Sequence, residues 1–246
     1  MKILVCITHV PDTTSKISFT DNNTKFNAQG VQYIIGPYDE YALSRAVEIR
    51  DAIAGSTLTV LNVGTPETEP TIRKALAIGA DDAIRVNSEP LDSYFVAVQI
   101  ADIAKKNNYD LILMGRESID FNGNQVHGMV AELLNLPSVN PVMKLDINGN
   151  TATMWKEIEG GKEVVEANLP LVIGCQEPIA EWKIPNMRGI MSARTKPLQI
   201  VEPVTVADMM VNDHYELPAA KSGCKMIDAS TPEKLFELLK TEAKVL

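Results

Sequence analysis

Four short runs rich in apolar and β-branched residues, at 3–7, 57–63, 83–86 and 111–114, recur through the first half of the chain, separated by helical patterns. A continuous apolar run is what a strand shows when both of its faces are covered, so this alternation predicts a parallel sheet with helices on both sides. The first helix carries Ala42, Ala46, Ile49 and Ile53 on one stripe with Leu43 and Val47 beside it. Asp39 and Glu40 lie near its positive N-terminal end. The second is punctuated by Thr65 as N-cap, Pro66 in the first helical position and Gly79 at a left-handed C-terminal residue. Residues 93–105, with Phe95, Val96, Ile100 and Ile103 apolar, and residues 125–134 supply the third and fourth helices.

Two stretches depart from the alternation. Between Val10 and Ile35, the alternating segment 16–20, the turn at Asp21, Asn22 and Asn23 and the run 31–35 predict a hairpin-like excursion. From Val139 to Cys175, three short runs with turns at 147–149 and 159–161 predict an antiparallel addition to the sheet. The core is expected to end near Glu177. Beyond it stand six prolines, at 178, 185, 197, 203, 218 and 232, and no strong periodicity returns before Pro232. A tail of that length is either disordered or packed on another subunit; Met209, Met210, Val211, Leu217 and Met226 favour packing.

A formal charge of −9 gives no positive field for nucleic acid or an anionic membrane, so a small ligand or a protein partner is expected. Cys6, Cys175 and Cys224 show no paired spacing, which points to a reducing compartment and away from disulfides or zinc. Residues 1–7 read as a core strand rather than a signal peptide, and no apolar run approaches the roughly 20 residues of a membrane helix. A cytoplasmic protein is expected.

The junction that follows residues 111–114 is the strongest functional signal. A buried strand ends in Gly115, Arg116, Glu117, Ser118, Ile119, Asp120, Phe121, Asn122, Gly123, Asn124, Gln125 and Val126, and a helix begins. Free N–H groups at such a helix start suit a phosphate. Neither common glycine-rich nucleotide motif is present, so a ligand here would be gripped by backbone amides with Ser118, Asn122, Asn124 and Gln125; the other reading is a plain polar connection. Asp12, Asp39 and Asp120 fall at the strand-end rim, where they either position a ribose or cap helices. His9, His127 and His214 share no ligand spacing, Ser118 lacks a nucleophile elbow, and Cys6 reads as a buried hydrophobe. The rim is built to hold a nucleotide rather than to transform one. Further on, Lys183, Arg188, Arg194 and Lys196 surround a methionine-rich stretch that predicts a partner-docking surface, with Met187 outward and Ile190 and Met191 towards the core.

Six elements in order resemble the electron transfer flavoprotein beta-subunit family: residues 4–12, 36–42, 71–81, 115–126, 157–161 with Leu169 and Pro170, and 189–196. The resemblance implies a Rossmann-like α/β fold with an antiparallel addition and an extended C-terminal tail that wraps a partner alpha subunit. It divides the chain into a nucleotide-binding domain at 1–180, a recognition loop and helix at 181–196, and a tail at 197–246. It implies FAD held mainly by the alpha subunit and AMP held by this chain at Cys6, Thr13, Gly36, Pro37, Tyr38, Asp39, Val63 and 115–126. Ile184, Met187 and Arg188 would dock acyl-CoA dehydrogenase-type donors, and a membrane quinone reductase would accept the electrons. No catalytic side chain is implied, because a bound flavin exchanges electrons through proximity and tuned potential.

Two departures from the family pattern bear on the ligand and the donor. Met187 stands where the mitochondrial type has leucine, and residues 120–126 differ from the Asp-Gly-Asp-Thr-Ala-Gln-Val of electron-bifurcating members, which hold a second FAD in place of AMP. Asn124 and Gln125 are nearer the AMP type, whereas Val10, Pro11, Asp12 and Thr13 are nearer the bifurcating type. The alternatives are that bifurcating subunit and a free-standing adenine-nucleotide sensor of the stress-protein type. Against the sensor stands the long tail. An ATP pyrophosphatase would need a phosphate loop after the first strand that residues 8–13 do not supply.

Overall fold

The structure is a computed structural model that describes residues 1–207, 209–221 and 223–246. The chain divides into two compact units, one formed by Met1–Ile17 and Asn27–Asp213, the other by Ser18–Phe26 and His214–Leu246. In chain order the strands are β1 (Lys2–Cys6), β2 (His9–Pro11), β3 (Phe19–Thr20), β4 (Lys25–Phe26), β5 (Tyr33–Ile35), β6 (Thr57–Val63), β7 (Asp82–Val86) and β8 (Leu111–Gly115). They continue as β9 (Ser138–Asn148), β10 (Thr151–Ile158), β11 (Gly161–Asn168), β12 (Leu171–Cys175) and β13 (Leu198–Val201). The helices are α1 (Pro37–Ala52), α2 (Glu69–Ile78), α3 (Ser93–Asn107), α4 (Val126–Leu134), α5 (Met187–Ala193) and α6 (Glu233–Leu238).

The larger unit is built on one sheet in the order β11-β10-β9-β12-β8-β1-β6-β7-β13. From β9 to β13 all neighbours are parallel, while β10 and β11 are antiparallel additions at one edge. Residues of β1 show why the apolar run is unbroken. Ile3 and Val5 enter the core formed with α1 and α2, around Leu43, Ala46, Ile72 and Leu76. Leu4 and Cys6 enter the opposite core, around Phe95 and Ile100 of α3 and Val130 of α4. Alternate side chains thus feed two hydrophobic layers, which is the Rossmann-like doubly wound arrangement. The excursion after β1 resolves into two small ladders, β2 with β5 and β3 with β4.

Three expectations need correcting. The segment between 138 and 175 holds four strands, and the last of them, β12, is a fully buried parallel strand between β8 and β9. The core does not end at Glu177, because β13 pairs with β7 in parallel register, Leu198 opposite Ala83 and Val201 opposite Val86. Past that strand Gln99 and Asp92 of the α3 region hold the chain: Val204 and Gln99 exchange two hydrogen bonds, and Met209 N–H donates to Asp92 Oδ2 at 2.9 Å. Finally, Thr65 opens a 3-10 turn, Pro66–Thr68, and α2 starts after it.

In the smaller unit the β3–β4 hairpin is joined by Tyr215, whose ring stacks on Phe19 with centroids 5.0 Å apart and whose N–H donates to Asn23 O at 2.7 Å. Helix α6 and the π-helical turn after it, Leu239–Ala243, bury no residue of their own. Among the described residues no helix is long and apolar enough to cross a membrane.

Candidate nucleotide site

The order of the sheet reverses at β1: the chain goes from β1 outward to β6 and β7 on one side, and β8 lies on the other. Ligands of doubly wound sheets bind beyond the strand ends at such a switch point. Here one side chain spans it. Asp39, in the first turn of α1, is only 3% exposed. Its Oδ2 accepts from Thr8 N at 2.8 Å and Thr8 Oγ1 at 2.6 Å, just after β1, and its Oδ1 accepts from Gly115 N at 2.7 Å at the end of β8. Burial pushes its carboxyl up to about 6, with the bonds from Thr8 and Gly115 pulling the other way. A Cβ at Gly115 would lie 2.6 Å from Asp39 Oδ1 and 2.7 Å from Tyr38 Cβ, and one at Gly36 would lie 2.6 Å from Asp39 Oδ2. The two glycines are therefore the space in which this carboxylate sits.

Asp39 does not cap α1. Gly36 occupies the N-cap, with no side-chain cap bond, and the carboxylate turns inward because three N–H and O–H donors await it there. It acts as a tie between strand ends. Asp12 bonds locally, accepting from Thr14 N at 2.8 Å. Asp120 accepts from Ser118 Oγ and from Phe121 N. Thr13 is exposed in the turn after β2.

Past Gly115 the rim becomes polar. Arg116 Nη1 donates to Gln176 Oε1 at 3.0 Å, its Nη2 to Glu117 Oε1 at 2.8 Å, and its guanidinium carbon lies 4.9 Å from the Tyr38 ring centroid. Gln176 in turn donates to Glu157 Oε2 at 2.6 Å. Ile119 is part-buried, while residues 120–125 are exposed. Asn122 N–H closes a turn on Ser118 O at 2.8 Å, and Asn122 and Asn124 both adopt the left-handed conformation, φ 48° each. Gln125 stands at the N-cap of α4 without a side-chain cap bond, so the first N–H groups of that helix have neither an intrahelical nor a capping partner. Val126 packs into the α3/α4 core.

Cys6 and Val63 end neighbouring strands on the α3/α4 side and are buried. Burial, then the Asp39 charge, pushes the Cys6 thiol far above its ordinary value, so it remains protonated. Asn62 Nδ2 donates to Ile7 O at 2.9 Å while its Oδ1 is buried without a hydrogen-bond partner. Among the described residues no group of three His, Cys, Asp or Glu side chains converges as a metal site. The structure thus gathers Cys6, Gly36, Pro37, Tyr38, Asp39, Val63 and the 115–126 loop around one switch point and leaves Thr13 on the following turn. Sequence reading missed Thr8 and Gln176. Thr8, the residue after an apolar strand, was the one with a local signal.

The segment expected to dock a partner lies elsewhere, on α2. Gly189 packs close to the Ala77 carbonyl, Arg73 Nη1 donates to Ala193 O and Lys196 O at 2.9 Å each, and Asn186 Oδ1 caps α5 from Gly189 N at 2.8 Å. The face of α5 that packs is therefore Gly189 and Ala193, one turn apart. Ile190 and Met191, expected towards the core, are 39% and 68% exposed. Met187 is 73% exposed and Ile184 is exposed beside it.

These features define a Rossmann-like α/β domain with a polar, uncapped helix start at its switch point and a separate exposed apolar segment around α5. The family model described as "Electron transfer flavoprotein domain" matches residues 23–206, and the chain belongs to the electron transfer flavoprotein family, as a beta subunit. It is 36% identical to "Electron transfer flavoprotein subunit beta" of Syntrophomonas wolfei, covering 100% of this chain and 98% of that one. The namesake from Bacillus subtilis is 34% identical, with both chains covered completely. "Caffeyl-CoA reductase-Etf complex subunit CarD" of Acetobacterium woodii is 31% identical over 81% of this chain and 78% of its own. Electron transfer is the work of the family, and a beta subunit implies an alpha-subunit partner.

Proposed function

We propose that this chain holds AMP at the β1/β8 switch point and, with an alpha subunit that carries most of the FAD contacts, forms a heterodimeric electron carrier. Its donors are acyl-CoA dehydrogenase-type flavoenzymes and its acceptor a membrane quinone reductase or similar protein. The observation that carries the reading is the uncapped start of α4, which the 116–125 loop reaches from the end of β8. Positive potential and free N–H groups at a helix start favour a phosphate. The 115–126 loop takes the phosphate, and Cys6, Gly36, Pro37, Tyr38, Asp39 and Val63 line the side where an adenosine rests. FAD supplies the electron exchange; the residues of this chain bind, enclose and exclude water. Met187, with Ile184 and Arg188, docks the donor, and the exposed apolar chain beyond Met209 lies on the alpha subunit.

A second reading puts FAD in place of AMP at the same site. It is supported by the residues Val10, Pro11, Asp12 and Thr13, nearer the bifurcating pattern, and by the likeness to a subunit named for a caffeyl-CoA reductase complex. Denaturing the purified protein with its co-purifying chain and separating the released nucleotides tests both. FAD and AMP in equal amounts support the first reading. FAD alone, in twice that amount, supports the second, and the absence of any nucleotide sinks both.

A further inference from the structure

Around the loop, two side chains from different elements converge on a third. His127 Nε2, in the first turn of α4, lies 3.0 Å from Asn124 Oδ1, and Asn140 Nδ2, on β9, donates to the same oxygen at 2.8 Å. The Asn140 amide has room because residue 174 of β12 is glycine: an added Cβ there would stand 2.7 Å from Asn140 Cγ. The remaining hydrogen-bonding atoms of the two donors, His127 Nδ1 and Asn140 Oδ1, are buried with no partner among the described residues. Buried polar atoms without partners oppose folding, and a site that keeps two of them calls for an explanation other than stability.

The explanation is the orientation of Asn124. Its carboxamide sits on a left-handed residue of an exposed loop, φ 48°, where either end of the amide could face inward. With the Asn140 N–H aimed at that point, and His127 in the tautomer that carries its proton on Nε2, only the oxygen fits, since the NH2 end would meet donor against donor. Burial lowers the proton affinity of His127 and keeps its ring neutral, which suits one N–H donor and one unshared nitrogen. The Asn124 NH2 is thereby held outward, on the loop that leads into the uncapped start of α4.

We propose that His127 and Asn140 are positioning residues that hold Asn124 so that its side-chain NH2 is presented to the phosphate of the bound nucleotide. The inference rests on the adenylate reading above. Asn140→Asp replaces one donor by an acceptor and lets the Asn124 amide turn over, presenting oxygen to the phosphate. His127→Leu removes the second donor, and His127→Gln restores an N–H at similar reach.

Calorimetric titration of the nucleotide-depleted protein, with its accompanying chain, by AMP and by adenosine reads the effect as a ratio of affinities. In Asn140→Asp the AMP affinity is expected to fall about tenfold, the scale of one charge-assisted hydrogen bond, with adenosine little changed. His127→Leu should shift the ratio the same way, and His127→Gln should return it to the wild-type value. An unchanged ratio in both Asn140→Asp and His127→Leu overturns the proposal, as does an equal loss for both ligands that tracks a lowered melting temperature. Should Asn140→Asp fail to fold, the Leu and Gln pair at residue 127 decides. Wild-type protein that binds neither ligand overturns the adenylate reading itself, an outcome visible before any variant is made.

Discussion

Gln99 and Val204, 105 residues apart, exchange two hydrogen bonds: Gln99 Nε2 donates to Val204 O at 2.9 Å and Val204 N donates to Gln99 Oε1 at 2.8 Å. A side-chain amide here satisfies both backbone groups of a residue just past the end of β13, and Gln99 is 2% exposed. Replacing Gln99 by Leu strands both backbone groups of Val204. The expected loss is about 1–3 kcal/mol in the denaturant midpoint, with faster amide exchange at Val204 than at Val60 in the sheet centre. A midpoint and exchange pattern like the wild type would show that the segment after β13 is held by other means.

Asp39 gives the chain a pH dependence whose sign is fixed. Its folded carboxyl is raised from 3.8 to about 6, so the native state holds the proton more tightly than the unfolded state does. The contribution of this group is greatest below pH 3.8 and is lost as pH rises through about 6, a change on the order of 3 kcal/mol. Measured as the difference between wild type and Asp39→Asn, stability should decline across that window. A difference that stays flat with pH would refute the assignment.

At Gly115 the backbone passes too close to Asp39 and Tyr38 for any side chain. Gly115→Ala must push the first turn of α1 away from β8, at an expected cost of about 1–3 kcal/mol. Nucleotide retained through gel filtration should fall with it. Full retention at unchanged stability would mean that the Asp39 tie is dispensable.

Met187 tests the docking face. Because its side chain is exposed, Met187→Ala should leave the melting temperature and flavin content unmoved, within about 0.5 kcal/mol. The apparent Michaelis constant for the carrier in a dehydrogenase-coupled assay should rise, reflecting about 1–3 kcal/mol of lost docking. The reverse pattern, a lower melting point with coupling intact, would assign Met187 to the packing of α5 instead.

What the sequence made legible was local. The strands β1, β6, β7 and β8 declared themselves because burial on both faces leaves few polar positions, Thr59, Asn62 and Arg85 being the buried exceptions, and α1 to α4 because their apolar stripes recur every turn. The loop at 115–126 stood out as polar punctuation between two such elements. By contrast, Leu171–Cys175 looks like any short apolar run, and nothing in it says that it inserts between β8 and β9 rather than continuing a meander. Partner choice is set by the whole sheet. The position of Asp39 suggested a helix start, yet its donors come from Thr8 and Gly115, 31 and 76 residues away. The same distance effect hid the inward Gly189 and Ala193 face of α5, which follows from the close approach to α2.

The place of β13 has a bearing on how the chain is made. Until Leu198–Val201 has been synthesised, β7 is the last strand on its side of the sheet, with one row of backbone groups open to any extended chain nearby. The ribosome delivers β1, β6, β7 and β8 first, and β12 and β13 well after them, so nascent protein passes through a stage in which the sheet is unfinished both at its centre and at its rim. Conditions that slow synthesis between residues 115 and 201 lengthen that stage.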